Sequence, residues 1–179
     1  MLVRTLIVFL LFSCSLKADQ NDARLEDLFK ILSKTESDVR INEVTSSIWD
    51  IWYETNDPSI EADFYRGLES MRTGDLLMAV AFFTRVIEKN PNFAEGWNKR
   101  ATVYYMLGKF DDSMMDIKET LKLEPRHFGA MDGMGLIFIQ MQKFDKAIGV
   151  YNQMLGIFPN SITTKEKKNR ILNYISKSA

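Results

Sequence analysis

The chain has one cysteine, Cys14, and one histidine, His127, among its 179 residues. A lone thiol can close no disulfide within the chain, and two such residues are too few for a zinc site. The nine glycines stand apart, so no glycine-rich loop is available to cradle a phosphate. No nucleophile motif and no metal-ligand spacing is present. Asp111, Asp112 and Asp116 form an acidic cluster, but two of them fall where a helix start favours carboxylates. The formal net charge of −1 offers no basic field for nucleic acid. Nor does any apolar run reach the roughly 20 residues needed to cross a bilayer. These absences leave no catalytic residue, metal or cofactor to assign, and an enzyme is not expected.

What is present is ordinary for a folded domain. Hydrophobic residues make up 46% and charged residues 26%, too apolar a balance for disorder. At the start, Arg4 precedes the apolar stretch TLIVFLLF, which gives way to SCSLKADQ. A short charged region, an apolar core and a small-residue region predict a secretory signal peptide over residues 1–18, cleaved after Ala18. The expected location is outside the cytoplasm, in a bacterial periplasm. A second reading stays open: Leu11-Phe12-Ser13-Cys14 resembles the bacterial lipobox, which implies acylation of Cys14 and a lipid-anchored protein in the envelope.

Prolines at 91, 125 and 159 stand 34 residues apart, and the chain between them repeats in register. Residues 94–127 carry Trp97, Ala101, Tyr104, Gly108, Phe110 and Pro125; residues 128–161 carry Gly135, Phe138, Phe144, Ala147, Tyr151 and Pro159. Residues 60–93 carry Gly67, Gly74, Ala79, Phe83 and Pro91, with Asp63 and Ser70 at positions where aromatics are usual. Small residues let two helices approach, large ones fill the seam, and the prolines end each second helix. Gly74 and Gly108 suit a left-handed turn between the helices; Gln142 occupies the third such position.

This pattern resembles the tetratricopeptide repeat family over residues 60–161. The resemblance implies an all-α fold: an α-solenoid of helix hairpins at 60–93, 94–127 and 128–161. Ahead of them, residues 19–57 read as a degenerate hairpin. Leu25, Leu28, Phe29 and Leu32 share one face, and Val44, Ile48, Ile51 and Trp52 share another. Its second helix keeps the 34-residue phase, so it is expected to stack as a cap on the array. Residues 162–179 read as a C-terminal capping helix with Ile171, Leu172 and Ile175 facing inward.

The resemblance also implies a binding face lined by the first helix of each unit, open to an extended peptide or a partner helix. The expected lining is Phe64, Leu68, Met71 and Arg72, then Asn98, Thr102, Tyr105 and Met106, then Asp132, Leu136 and Ile139, with Glu61, Glu95 and Gln140 at the edges. Arg66 and Arg100 replace an expected leucine and are candidate anchors for an anion, or else pair with nearby carboxylates along the seam. His127 reads as a solvated or locally hydrogen-bonded turn residue. The expected role is an exported scaffold or adaptor binding another protein or peptide, with no nucleic-acid partner and membrane contact only through lipidation. The alternative is a structural subunit of an envelope oligomer, including a homo-oligomer.

Overall fold

A computed structural model describes residues 20–178, so the predicted signal segment and Cys14 lie outside the described residues. Nine α-helices and no strands make up the described residues. They are α1 (Arg24–Leu32), α2 (Asp38–Tyr53), α3 (Pro58–Thr73), α4 (Leu76–Lys89), α5 (Ala94–Met106), α6 (Phe110–Leu123), α7 (Phe128–Gln140), α8 (Phe144–Ile157) and α9 (Ile162–Ser178). The chain is an α-solenoid in which α3–α4, α5–α6 and α7–α8 form successive antiparallel hairpins.

Local chemistry sets the helix ends. Pro58 opens α3, where its missing N–H is no loss, and the Asp57 carboxylate accepts from the Ser59 N–H at 2.9 Å. Gly74 ends α3 at φ 82°, and Asp75 caps α4 by accepting from the Met78 N–H. The α5–α6 turn closes with Lys109 N–H donating to the Tyr104 carbonyl and Gly108 N–H to that of Tyr105, with Gly108 at φ 72°. The α7–α8 turn makes the same pair of bonds, Lys143 to Phe138 and Gln142 to Ile139, and Gln142 is held at φ 56°. A side chain there carries a left-handed strain that glycine avoids.

Packing within the hairpins follows residue size. A Cβ on Gly67 would lie 2.6 Å from the Phe83 ring, and one on Gly135 would lie 2.7 Å from the Tyr151 ring. In the middle hairpin Ala101 and Ser113 meet, and the Ser113 hydroxyl donates to the Ala101 carbonyl at 2.7 Å. Val103 of α5 is part of the first hairpin's core, Leu121 and Met134 each bridge the middle and last hairpins, and Phe128 and Ile157 join the last hairpin to the N-terminal one, so each hairpin's core meets its neighbour's. Burying an aliphatic or aromatic side chain in such a core stabilises by about 1.5–3 kcal/mol.

The N-terminal hairpin departs from expectation. Rather than stacking as a further repeat that caps the array, α2 packs mainly on α1 and meets α5, and it reaches α3 at its last residue, where the Tyr53 ring lies 6.0 Å from that of Phe64. Its core takes in Phe158, from the turn after the last hairpin, with Phe128 packed alongside. The hairpin instead runs across the turns that join one repeat to the next. The Gln20 amide donates to the Asn92 carbonyl and its oxygen accepts from the Ala94 N–H. Further along, Arg126 pairs with Glu26 and lies over the Phe29 ring, 4.3 Å from its centroid. At the far end, the Asn160 amide donates to the Thr35 carbonyl at 2.8 Å. The hairpin is therefore a strap across both inter-repeat turns and the turn that leads into α9. Its sequence phase misled because the same i, i+3, i+4 stripe serves any helix with one buried face.

At the other end α9 packs on α8. Ile171 is buried and Ile175 half-buried, as expected, but Leu172 is 43% exposed and faces away.

Candidate functional site: a concave groove closed at one end

The first helices α5 and α7 stand side by side and leave a cleft of about 210 Å³ between them. Asn98, Thr102 and Tyr105 line it from α5, Asp132 and Leu136 from α7, and Ser113 and Ile117 form part of its floor. Five of the expected groove residues thus meet around one cleft. Leu136 also borders a second hollow of about 550 Å³ between α7 and α9, lined by Ile139, Phe144, Ile171 and Tyr174 with Lys167 and Arg170. The two spaces share a wall and form one apolar trough with a few polar groups, the ordinary make-up of a binding site.

The trough closes toward the N-terminal ends of α5 and α7, where α2 lies across them. Trp49 sits so close to Gly129 that a Cβ there would come within 2.5 Å of its ring. Trp52 stacks on His127 at 4.0 Å and 11°, while Trp49 meets the same imidazole edge-on at 5.5 Å. His127 is fully buried. Its Nδ1 accepts from the Ala130 N–H at 3.1 Å and so caps α7, and its Nε2 lies 2.9 Å from Glu95. An accepting Nδ1 leaves the proton on Nε2, which donates to the carboxylate.

Glu95 is itself buried and gathers three partners: His127, the Lys99 ammonium at 3.0 Å and the Asn98 amide at 3.1 Å. Burial works against its charge, but Lys99 and His127 outweigh it and hold the carboxyl below its ordinary range. Lys99 is also pushed down by burial, yet Glu95 and Tyr53 raise it above the usual lysine value. Its ammonium donates to the Tyr53 hydroxyl and lies over the Tyr53 ring at 4.6 Å. A charge pair satisfied this completely is a structural joint.

Several expected site residues are placed elsewhere. Phe64 is fully buried, ringed by Tyr53, Phe83 and Phe93, and cannot line a groove. Asn98 lines the cleft but is only 5% exposed and is held by Glu95. Leu68 and Met71 are half-buried against the α3–α4 core, and Arg72 is exposed and tied to Glu69 at 2.7 Å. Met106 is 52% exposed, one turn beyond Thr102 on α5, and does not line the cleft.

Arg100 is not an anion anchor. Its guanidinium grips Asp116 at 2.7 and 2.8 Å and donates to the Thr84 hydroxyl at 3.1 Å, between the rings of Trp97 and Tyr104. Burial pushes the Asp116 carboxyl up despite that partner. Arg66 is exposed and makes no ion pair among the described residues. The two arginines form no joint site, because the position matching Asp116 one repeat earlier is Phe82.

His127 is locally hydrogen-bonded, as expected, but not solvated; its flanking turn residues are polar and gave no sign of the tryptophans above it. Two features of the trough were missed: the Trp49–Gly129 contact, and Lys167 of α9 holding Asp132 at 2.6 and 2.7 Å. Gly129 stands where the other first helices carry Glu95 and Glu61, and that missing side chain is the one signal for the first. Among the described residues no group of three His, Cys, Asp or Glu side chains is placed to hold a metal.

Comparison with known proteins agrees with this geometry. Residues 82–114 and 130–161 match profiles described as tetratricopeptide repeat. The first runs from α4 into α6, and the second covers most of α7–α8. A TPR repeat-containing protein of Rhizobium etli is 28% identical over 148 residues, 83% of this chain and 72% of that one. Hsp70-Hsp90 organizing protein 1 of Glycine max is 26% identical over 101 residues, which is 56% of this chain but only 18% of that protein. Among solved structures, the first TPR of Spaghetti (RPAP3) bound to the HSP90 peptide SRMEEVD superposes with a TM-score of 0.62 at 19% identity, covering 66% of this chain and 96% of that one. The chain is an all-α solenoid in which two stretches match tetratricopeptide repeats.

Proposed function

We propose that the protein is a scaffold or adaptor that holds a segment of another protein in the open half of its concave trough. The observation that carries this reading is the cleft between α5 and α7, where Thr102, Tyr105 and Leu136 remain accessible although α2 closes the other half. A similar fold binding a peptide supports it. An accessible Tyr105 offers a large apolar body with a hydroxyl at its tip, a pairing suited to interfaces. Each such anchor, well buried by a partner, contributes about 1.5–3 kcal/mol before ordering costs.

We further propose that residues 1–18 direct export and that the protein works in a bacterial envelope, free or anchored through Cys14. The apolar stretch behind Arg4 supports this. A metabolic acyl label appearing on the protein and lost in Cys14→Ser selects the anchored form; its absence selects the free one.

The binding reading is tested with a photo-crosslinker at Tyr105, compared with one at the exposed Lys118 on α6. One dominant partner captured from envelope extract at Tyr105, absent at Lys118 and lost with Leu136→Asp, supports the groove. Capture only of the protein's own copies points to the oligomer subunit. Equal capture at both positions contradicts the groove.

A further inference from the structure

The trough is chemically lopsided, and that bears on what it accepts. At the closed end Lys99 is committed to Glu95 and Tyr53. On the other flank of the trough α9 carries Lys165, Lys167, Lys168, Arg170 and Lys177 against a single carboxylate, Glu166, in a chain whose overall charge is −1. The hollow between α7 and α9 is walled by Ile139, Phe144, Ile171 and Tyr174, and no carboxylate lines it. Lys167 is neutralised by Asp132. Arg170 is not held in the same way: its guanidinium reaches Glu166 only at 3.5 Å, with the two side chains 79% and 57% exposed. Exposed pairs of that kind contribute little and leave the cation available.

Resting on the groove reading above, we infer that the α7–α9 hollow takes a partner segment carrying a leucine- or phenylalanine-sized side chain within one turn of an aspartate or glutamate. The apolar side chain fills the hollow and the carboxylate meets Arg170. Arginine suits this role because its planar fork matches a carboxylate with two hydrogen bonds. The shared wall at Leu136 lets one segment run from the Tyr105 cleft into the hollow. Its orientation follows: the acidic part lies over α9, because Lys99, the cation on the α5 side, is already held by Glu95 and Tyr53.

The test is selection of a random twelve-residue display library on the full chain, followed by affinity measurement of enriched peptides on single variants. Enriched peptides are expected to pair a bulky apolar residue with Asp or Glu. Their Kd should rise at least fivefold with Arg170→Glu, recover mostly with Arg170→Lys, and rise with salt. Arg170 is exposed, so its variants should fold. Peptides lost with Leu136→Asp but indifferent to Arg170→Glu, or enriched in lysine and arginine, overturn this inference and leave the groove reading standing. Binding indifferent to Leu136→Asp, or no enrichment at all, overturns both.

Discussion

Replacing His127 by alanine should unfold the protein more readily than any other single change in a turn. The imidazole caps α7 through Nδ1, and losing an N-cap costs about 1 kcal/mol. Its Nε2–H satisfies the buried Glu95, and a buried acceptor left short costs about 1–3 kcal/mol. Its stack on Trp52 contributes about 0.5–1.5 kcal/mol beyond its area. These effects share one side chain and do not add fully, so about 3–5 kcal/mol is expected against a typical stability of about 5–15 kcal/mol. Urea unfolding followed by tryptophan fluorescence reads this directly, since Trp49 and Trp52 flank the site. His127→Asn keeps a good N-cap and should recover about 1 kcal/mol of the loss. A His127→Ala loss below about 1 kcal/mol, as for a solvated turn residue, would refute the reasoning.

Three further outcomes are expected. Gln142→Gly should stabilise by about 0.5–1 kcal/mol in thermal melts, because Gln142 sits at φ 56° where glycine is unstrained, while Gly108→Ala at φ 72° should destabilise by a similar amount. Arg100→Ala should destabilise by about 2 kcal/mol or more in urea by stranding Asp116, whereas Arg66→Ala should stay within about 0.5 kcal/mol. The Asp63 carboxyl is held below its ordinary value of 3.8, chiefly by a hydrogen bond from Lys89 and then by Arg85. A carboxylate whose folded pKa is depressed stabilises above its unfolded pKa and loses that contribution as pH falls through the folded one. Asp63→Asn should therefore lower stability at neutral pH and flatten its decline below about pH 4; an unchanged acid limb would contradict the pairing.

The sequence made the repeats legible because each packing position demands a residue type. Gly67 and Gly135 stand where Phe83 and Tyr151 leave no room for a Cβ, and Gly74 and Gly108 stand where φ is positive. The cleft was legible for the same reason: Thr102, Tyr105 and Leu136 follow from counting along a helix face. The strap was not, because amphipathic spacing in α1 and α2 states that one face is buried without saying against what. Phe64 went astray because a large apolar residue reads alike in a core and in a groove. Arg100 needed its partner, and Asp116 lies 16 residues away on the next helix. The closing of the trough rests on contacts such as Trp49 with Gly129, 80 positions apart, which no local pattern encodes.

A half-closed trough is tested most directly by cysteine accessibility, since Cys14 is the only native thiol and can be replaced. In a Cys14→Ser background, maleimide labelling rates would be compared for Asn98→Cys, Thr102→Cys and Met106→Cys on the same face of α5. Labelling should be fast at 102 and 106, slower by at least tenfold at 98, and further slowed at 102 by a bound partner segment. Equal rates at all three positions would mean that α2 does not close the groove. Protection at 98 but none at 102 would mean that the partner binds elsewhere.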